Sequence, residues 1–292
     1  RTAWSSWRGS RLSIITSDLS LQDGMSQMIT FHAGVPADLR ALVWQVFFVS
    51  RGRGQSFNVH FPWADDTAVT AVCAHEQGQL VGGMVVREVC TADNLRFGMI
   101  GLVCVAEVDR GRGWSHRLLD AAASLAQSRG LAALMLWTQK PDVYVRHGFR
   151  HDGAELLCDV DQTGLPPASA DWLLSPEVAV LGACRGLPAF ASAIRRLERE
   201  PVGPQACSLV LQTAAGAAVA DWCGEADSVA GLLTSALPAR WALNALSGDP
   251  LIQALERIGC KVHSRFTGAR LVLWLQADAG RVLPEVRILD RI

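Results

Sequence analysis

An apolar run that leads through a glycine-bearing turn into an amphipathic stretch is the feature that most constrains the fold of this chain. Residues 97–108 are almost continuously apolar and rich in β-branched side chains, which is typical of a strand buried on both faces. Apolar residues then recur at helical spacing from Ser115 to Arg129, and Gly130 ends the pattern. The sequence therefore predicts a strand, a tight turn and a helix.

The turn itself is suited to binding phosphate. It reads Arg110, Gly111, Arg112, Gly113, Trp114 and Ser115. A helix N-terminus offers unpaired N–H groups and a partial positive charge, and glycines let the backbone approach closely. An ordinary strand-turn-helix corner could carry the same residues, so the string alone is a weak signal. A dinucleotide fingerprint is not completed, because His116 takes the place of the third glycine, and no Gly-Lys-Ser/Thr sequence exists.

A second motif follows after another predicted buried strand, residues 131–137. Tyr144 is the only tyrosine of the chain and stands four residues before Gly148, which Phe149 follows. The order of strand, turn, helix, strand and Tyr-x-x-x-Gly-Phe resembles that of the GNAT (GCN5-related N-acetyltransferase) superfamily. The alternative for Tyr144 is a core aromatic at the end of a helix whose C-cap is Gly148.

The resemblance implies a GNAT fold, which is an α/β fold with a mixed sheet, and a site for acetyl-CoA. In this family the turn cradles the pyrophosphate of coenzyme A, and the preceding strand pairs with the pantetheine arm. It thus assigns cofactor binding to Leu102, Val103, Cys104, Val105, Arg110, Gly111, Arg112, Gly113, Trp114 and Ser115. Ser115 departs from the family's usual Gly or Ala, but serine is compact and also caps helices. Tyr144 matches the general acid that protonates the departing thiolate.

The general base is less well marked. The family's glutamate position on the fourth strand is filled by Met99, so that role does not carry over. The candidates for catalytic base are His60 and Glu88, with Asp93 and Glu107 as further carboxylates nearby in sequence. Each of them could equally be a solvated surface group, as we expect for His147. A carboxylate supplied by Ile292 at the end of the chain is a further alternative.

Residues 44–66 occupy the position of the segment that walls the acceptor pocket in the resemblance. Two arginines among glycines, Arg51 and Arg53, would suit a second phosphate or a carboxylate, for example on a nucleotide sugar, or could lie in solvent. The aromatic residues of this segment are more typical of core than of a sugar platform; they are Phe57, Phe61 and Trp63.

Composition agrees with a globular enzyme. The chain has 292 residues, half of them hydrophobic, and a net charge of −1, which gives no electrostatic surface for nucleic acid. No apolar run reaches membrane-spanning length. The eight cysteines lack Cys-x-x-Cys spacing, so we expect reduced core thiols, no metal site and a cytoplasmic location. Residues 1–27 are expected to be an N-terminal extension, and a homodimer is compatible with the sequence.

The second half of the chain is predicted to be a degenerate repeat of the first. We expect the catalytic domain over residues 28–160, a linker over 161–169 and the second domain over 170–292. Predicted elements are a helix over 187–200, strands over 208–213 and 217–222, a helix over 227–237, a strand over 241–246, a helix over 250–258 and a strand over 270–275. Aligning Gly259 with Gly148 puts Leu255 in the place of Tyr144, and no glycine-rich turn precedes it. An unrelated α+β cap is the alternative.

These patterns predict an acetyl-CoA-dependent N-acetyltransferase. We expect a small primary amine as acceptor, such as an amino sugar, an amino acid derivative or an antibiotic, and direct attack without a covalent enzyme intermediate. Cys104 is the one cysteine placed to argue otherwise, and a buried strand position favours a packing role. The alternatives are an N-acetyltransferase for protein or peptide amines, and an acyl-CoA-binding sensor or scaffold that has lost catalysis.

Overall fold

The computed structural model describes residues 27–49, 52, 54–165, 172–175, 185–199, 206–276 and 282–291. Its strands are β1 Gln27–Ala33, β2 Val69–Glu76, β3 Gln79–Cys90, β4 Arg96–Val105, β5 Ala133–Thr138, β6 Arg150–Asp161, β7 Trp172–Ser175, β8 Ala191–Arg199, β9 Cys207–Thr213, β10 Gly216–Cys223, β11 Arg240–Leu246 and β12 Lys261–Trp274. Its helices are α1 Ala37–Phe47, α2 Phe57–His60, α3 Trp114–Ser128, α4 Pro141–Val145, α5 Ala226–Ala236 and α6 Pro250–Arg257. The fold is mixed α/β, and no helix of the described ranges is long and apolar enough to cross a membrane.

The chain divides into two compact units. The first contains the described residues up to Asp152 and is completed by Arg270–Glu285, whereas the second contains Gly153–Ala269 and Val286–Arg291. These bounds differ from the predicted ranges 28–160 and 170–292, because a late segment of the chain belongs to the first unit. Residues 1–26 of the predicted extension and 166–169 of the predicted linker lie outside the described residues.

In the first unit, strands β1 to β4 are antiparallel neighbours in chain order and β5 joins β4 in parallel. The next neighbour of β5 is the end of β12, where the Leu275 N–H donates to the Ala132 carbonyl. Helix α1 packs on the sheet face that carries Val69 and Ala71. Helix α3 covers the opposite face. Arg129, directly after this helix, hydrogen-bonds the side chain of Thr70, which lies between Val69 and Ala71 in β2 and so points to the other side of the sheet.

The second unit repeats this plan. Strands β7 to β10 are antiparallel neighbours in chain order, β11 joins β10 in parallel, and β6 pairs with the other edge of β11. Helices α5 and α6 cover the sheet with a buried apolar cluster that includes Leu233, Leu243 and Leu255. The predicted strand-helix-strand-helix order from 217 to 258 is confirmed.

Two expectations for the second half are wrong. The helix predicted over 187–200 is not formed by the described residues of that range: Ala191–Arg199 is a strand, because pairing with β9 along its length outweighs its local helical pattern. Cys207 and Cys223 are not free thiols but are joined by a disulfide, since the β9–β10 register brings them opposite each other. The other described cysteines are free, and all but Cys90 are buried.

Candidate functional site

Strand β4 separates from β5 halfway along its length. The two strands pair only at Phe97 to Met99, whereas β4 remains paired with β3 up to Val105. A β-bulge lies opposite Met84, and Leu102 within it has a φ of 52°. Such a bulge bends the strand and increases its twist, which changes the direction in which the strand edge faces. From residue 100 to 105 the edge of β4 that faces β5 has no ladder partner among the described residues.

This open edge fits an extended ligand that carries amide groups. Backbone N–H and C=O groups that leave a ladder need other partners, and an extended ligand can supply them as an added strand would. Leu102, Val103 and Val105 are half-buried, so the edge is reachable. Cys104 points to the α1 face and is 4% exposed, and burial raises the pKa of its thiol to about 12. Its backbone, and not its sulfur, belongs to the site.

The glycine turn follows directly from this edge. Gly111 and Gly113 have φ values of 77° and 80°, in the left-handed region that favours glycine. Helix α3 begins at Trp114, so Gly113 is its N-cap and Ser115 lies inside the first turn, contrary to the expectation that serine caps the helix. A Cβ built on either glycine would meet nothing within 4 Å. The space in front of the helix N-terminus is therefore open, and a phosphate group fits there.

The two arginines of the turn have different roles. Both terminal nitrogens of Arg112 donate to the carboxylate of Glu76, at 2.6 and 2.7 Å, and one also reaches Asp109 at 3.0 Å. Hydrogen bonds from Gln27 and then Arg112 lower the pKa of Glu76, so the carboxylate is ionised at neutral pH. Arg112 thus ties the turn to β2, and its charge is already compensated.

Arg110 is exposed, and its side chain makes one long bond, 3.4 Å from Nε to the Val105 carbonyl. It is therefore the arginine of the turn whose charge is available to a phosphate. The residue that the sequence analysis missed is Glu76. No local motif marks it, because its partner lies far along the chain and only the sheet register brings them together.

Tyr144 lies on α4, whose first residue is Pro141. Gly148 has a φ of 83° and lets the Phe149 N–H return to the Tyr144 carbonyl at 3.4 Å. The Tyr144 ring meets that of Phe149 edge-on at 6.0 Å, and burial raises the pKa of its hydroxyl above the ordinary value. No described residue hydrogen-bonds this hydroxyl. The helix-end geometry and a proton-donating role are compatible, since the cap fixes the ring and burial raises the pKa of the hydroxyl, which keeps it protonated.

His60 is buried as the last residue of α2. Its Nε2 accepts the backbone N–H of Gln55 at 2.9 Å, and its ring packs near Trp44, Phe48 and Phe61. The lone pair that a base would use is therefore occupied by the backbone. Within this aromatic cluster the contacts of His60 are those of a core histidine.

Glu88 is also engaged in structural contacts. Its carboxylate bonds Arg129, at the end of α3, and Arg96 at 3.0 Å, and Arg129 bonds Thr70 as well. The two guanidinium groups use the lone pairs of this carboxylate. Asp93 is bonded to Thr91 within the β3–β4 turn, and Glu107 is exposed beside the glycine turn. None of these groups has contacts that single it out as a general base.

The predicted acceptor segment is built around packed aromatic rings. Trp44 stacks on Phe48 at 4.5 Å, and Phe61 meets Phe57 and Trp63 at 4.8 and 5.5 Å. The expectation that these residues fill the core is confirmed. Arg51 and Arg53 lie outside the described residues.

A pair of histidines stands beside the turn and the tyrosine motif. His116, in the first turn of α3, places its Nδ1 2.9 Å from Nδ1 of His147, and its Nε2 lies 3.3 Å from Oδ2 of Asp120. Burial and then the neighbouring His116 lower the pKa of His147. His147 was expected to point to solvent, but it contacts another titratable side chain.

Comparisons with known proteins agree with this geometry. The family model described as the acetyltransferase (GNAT) family matches residues 37–151. No curated protein matches the chain significantly in sequence.

Among solved structures, a GCN5-related N-acetyltransferase from Anabaena variabilis has a TM-score of 0.63 and 11% identity, over 85% of this chain and 73% of that one. A probable N-acyltransferase from Enterococcus faecalis gives 0.64 and 9%, over 86% and 73%. A tandem GNAT protein from the clavulanic acid biosynthesis pathway gives 0.55 and 11%, over 86% and 99%. At these identities the likeness shows the fold alone, and it extends over both halves of the chain.

Proposed function

We propose that this acyltransferase uses acetyl-CoA to acetylate the primary amine of a small molecule, which the match of residues 37–151 to the acetyltransferase (GNAT) family model supports. The observation that carries the proposal is the open edge of β4, which is joined to the glycine turn by one short 3-10 turn, Glu107–Asp109. The residues fit the cofactor: the edge offers backbone partners for a pantetheine arm, and the turn offers space and N–H groups for a pyrophosphate. When bound, acetyl-CoA supplies an activated thioester whose leaving group is a thiolate.

Tyr144 is the residue that supplies the proton. A tyrosine whose pKa is raised by burial stays protonated at neutral pH, and a thiolate of ordinary cysteine-like basicity is a weaker base than a tyrosinate. The Tyr144 hydroxyl gives its proton to sulfur as the carbon–sulfur bond breaks, which releases coenzyme A as the thiol, and the tyrosinate regains a proton from water. A hydroxyl without a partner in the described chain is available for this step.

Direct attack by the amine agrees with the protonated state of the Cys104 thiol. Cys104 keeps its thiol protonated because burial raises its pKa to about 12, and a thiol is a poor nucleophile. The amine loses its proton to water, because His60 and Glu88 are occupied by structural contacts. These two residues remain in the proposal only as supports of the fold.

The acceptor class, a cytoplasmic location and a homodimer stay predictions from the sequence. A small amine is preferred because a net charge of −1 provides no general attraction to a charged polymer. The proposal does not assign the amine further.

The test is an assay of thiol release from acetyl-CoA, with a panel of amino sugars, amino acids and aminoglycosides beside lysine-bearing peptides. We expect turnover with at least one small amine, and loss of that turnover in Tyr144→Phe at unchanged acetyl-CoA affinity. Turnover with peptides alone would mean that the acceptor is a peptide amine and not a small molecule. Tight acetyl-CoA binding without turnover on any amine would favour a sensor over an enzyme.

A further inference from the structure

Three metal-ligating side chains of the first unit converge on one point outside the proposed reaction. His116 and Asp120 lie one turn apart on the exposed side of α3, and His147 comes from the segment that follows α4. One ligand atom from each of the three lies within 4.8 Å of the others. The two imidazole rings are 4.5 Å apart between centroids. Two separate elements therefore deliver two nitrogens and one oxygen to the same place.

This spacing is close to what a tetrahedral metal ion requires. Bonds of about 2.0–2.2 Å to nitrogen and oxygen put neighbouring ligand atoms roughly 3.3–3.6 Å apart. The His116–His147 and His116–Asp120 contacts, at 2.9 and 3.3 Å, involve different nitrogens of His116, and a set with one atom from each residue lies within 4.8 Å. His116 presents one ring nitrogen to each partner, so an ion would take one of the two. With 63% of its side chain exposed, His116 has room to turn its ring accordingly.

The donor set selects the class of ion. Two imidazoles and one carboxylate suit zinc and its borderline neighbours, whereas magnesium and calcium prefer oxygen ligands alone. Three protein ligands leave a fourth position for water or another small ligand. Without a metal ion, the same atoms form a hydrogen-bonded chain from Asp120 through His116 to His147. A measurement of ion binding distinguishes this chain from a metal site.

We propose that His116, Asp120 and His147 form a binding site for one divalent transition-metal ion of the zinc class. The ion would tie the first turn of α3 to the segment directly after Tyr144, and so stabilise the folded chain. The proposal concerns metal binding alone and does not depend on the acetyl-transfer function.

The experiment uses the full chain without a polyhistidine tag, free of acetyl-CoA, because phosphates also bind metals. Cys90→Ser is included as background, since Cys90 is the exposed free thiol of the described residues. Zn²⁺ binding is measured by calorimetry, Co²⁺ coordination by visible absorption, and stability by thermal unfolding with and without Zn²⁺. The variants are His147→Gln and Asp120→Asn, and His263→Gln is the matched control because His263 is exposed outside the cluster.

We expect one ion per chain, cobalt bands without thiolate charge transfer, and a higher melting temperature with Zn²⁺. Loss of a direct ligand in His147→Gln should weaken binding by more than the roughly 10–100-fold typical of outer-shell changes. Asp120→Asn should also weaken it, and His263→Gln should not. Absence of saturable binding, equal affinity in His147→Gln, or thiolate bands in the cobalt spectrum would each overturn the proposal.

Discussion

Helices α4 and α6 end in the same way but carry different chemistry. Each begins at a proline, Pro141 or Pro250, and each is followed by a glycine with positive φ, 83° at Gly148 and 99° at Gly259. In both, the residue after the glycine donates its N–H to the carbonyl five residues earlier. That carbonyl belongs to Tyr144 in the first unit and to the fully buried Leu255 in the second. The two helix ends share their backbone geometry, but only the first unit has a tyrosine hydroxyl at this position.

The helices that come before α4 and α6, which are α3 and α5, also differ between the units at their N-termini. Before α3 the chain makes a long turn with two left-handed glycines, and Gly113 itself is the N-cap. Before α5 only Gly224 and Glu225 separate strand from helix, and Asp227 adds a second carboxylate to the first turn. Asp227 is ion-paired with Arg257, but both carboxylates occupy the favourable potential that an anion would use at this helix N-terminus. A shared fold thus does not imply a shared site.

The third point of comparison is the strand edge that is only partly paired, in β4 of the first unit and β10 of the second. Strand β10 also pairs with β11 over a short stretch only, at Ala218 and Val219. Where this ladder ends, the side-chain amide of Asn244 donates to the Val219 carbonyl at 3.2 Å. In the first unit the side-chain contact with the corresponding stretch of β4 is the longer bond from Arg110 Nε to the Val105 carbonyl, at 3.4 Å. The Asn244 bond of the second unit is shorter and comes from a residue of the neighbouring strand, so this edge is the less open of the two.

The largest expected effect tests the independence of the two units. A fragment of residues 28–160 lacks the end of β12, and its β5 would lose a sheet neighbour beside the fully buried Ala133 and Leu134. We expect this fragment to be insoluble. Residues 28–152 joined through a flexible linker to 270–285 should be soluble and bind acetyl-CoA in calorimetry. A soluble, active 28–160 fragment would contradict the division into these units.

The next effect concerns the turn. Gly113→Trp fills the open space before α3 and forces a side chain into a left-handed conformation, so acetyl-CoA binding should become unmeasurable by calorimetry. Gly130→Trp is the matched control, since it has the same strain, about 1–2 kcal/mol, and an open environment at the other end of α3. Binding that survives in Gly113→Trp would remove the turn from the site.

Tyr144 is expected to affect turnover and not binding. Tyr144→Phe keeps the ring and should lower kcat by roughly 10²-fold, with acetyl-CoA affinity unchanged. Tyr144→Leu, which copies the residue of α6, should lose the same activity and some stability. Burial raises the pKa of Tyr144, so wild-type activity should hold as pH rises to the ordinary tyrosine value of 10.0 and fall only above it, as the hydroxyl deprotonates. Unchanged kcat in Tyr144→Phe would leave it a structural residue.

The two turn arginines should separate affinity from stability. Arg110→Met removes an available charge and should weaken acetyl-CoA binding about tenfold, with a shallower salt dependence. Arg112→Met leaves Glu76 without its main partner and should lower the melting temperature more than it changes affinity. Calorimetry at two salt concentrations and thermal unfolding check both. If Arg112→Met alone reduced affinity, the compensation of its charge by Glu76 would be disproved.

The contrast between the units also explains what sequence could predict. Periodicity and glycine positions predicted β4, α3, β5 and the cap at Gly148, because these depend on residues close in the chain. Long-range pairing decided the rest: β9 made residues 191–199 a strand, the β9–β10 register brought Cys207 to Cys223, and sheet order brought Glu76 to Arg112. His60 and Glu88 looked like bases because a sequence does not show which lone pairs are already used.

The smallest expected effect lies in the second unit, at Asn244. Asn244→Ala removes one hydrogen bond to the Val219 carbonyl and should cost about 1 kcal/mol of unfolding free energy, measured by denaturant titration. It reopens the β10 edge but leaves the acidic N-terminus of α5 and the buried Leu255 in place. Acetyl-CoA should therefore still bind with one site per chain, because an open strand edge without a phosphate-binding turn is insufficient. Gly113→Trp combined with Asn244→Ala should show no binding at all, and a site detected in that double variant would mean that the second unit binds acetyl-CoA on its own.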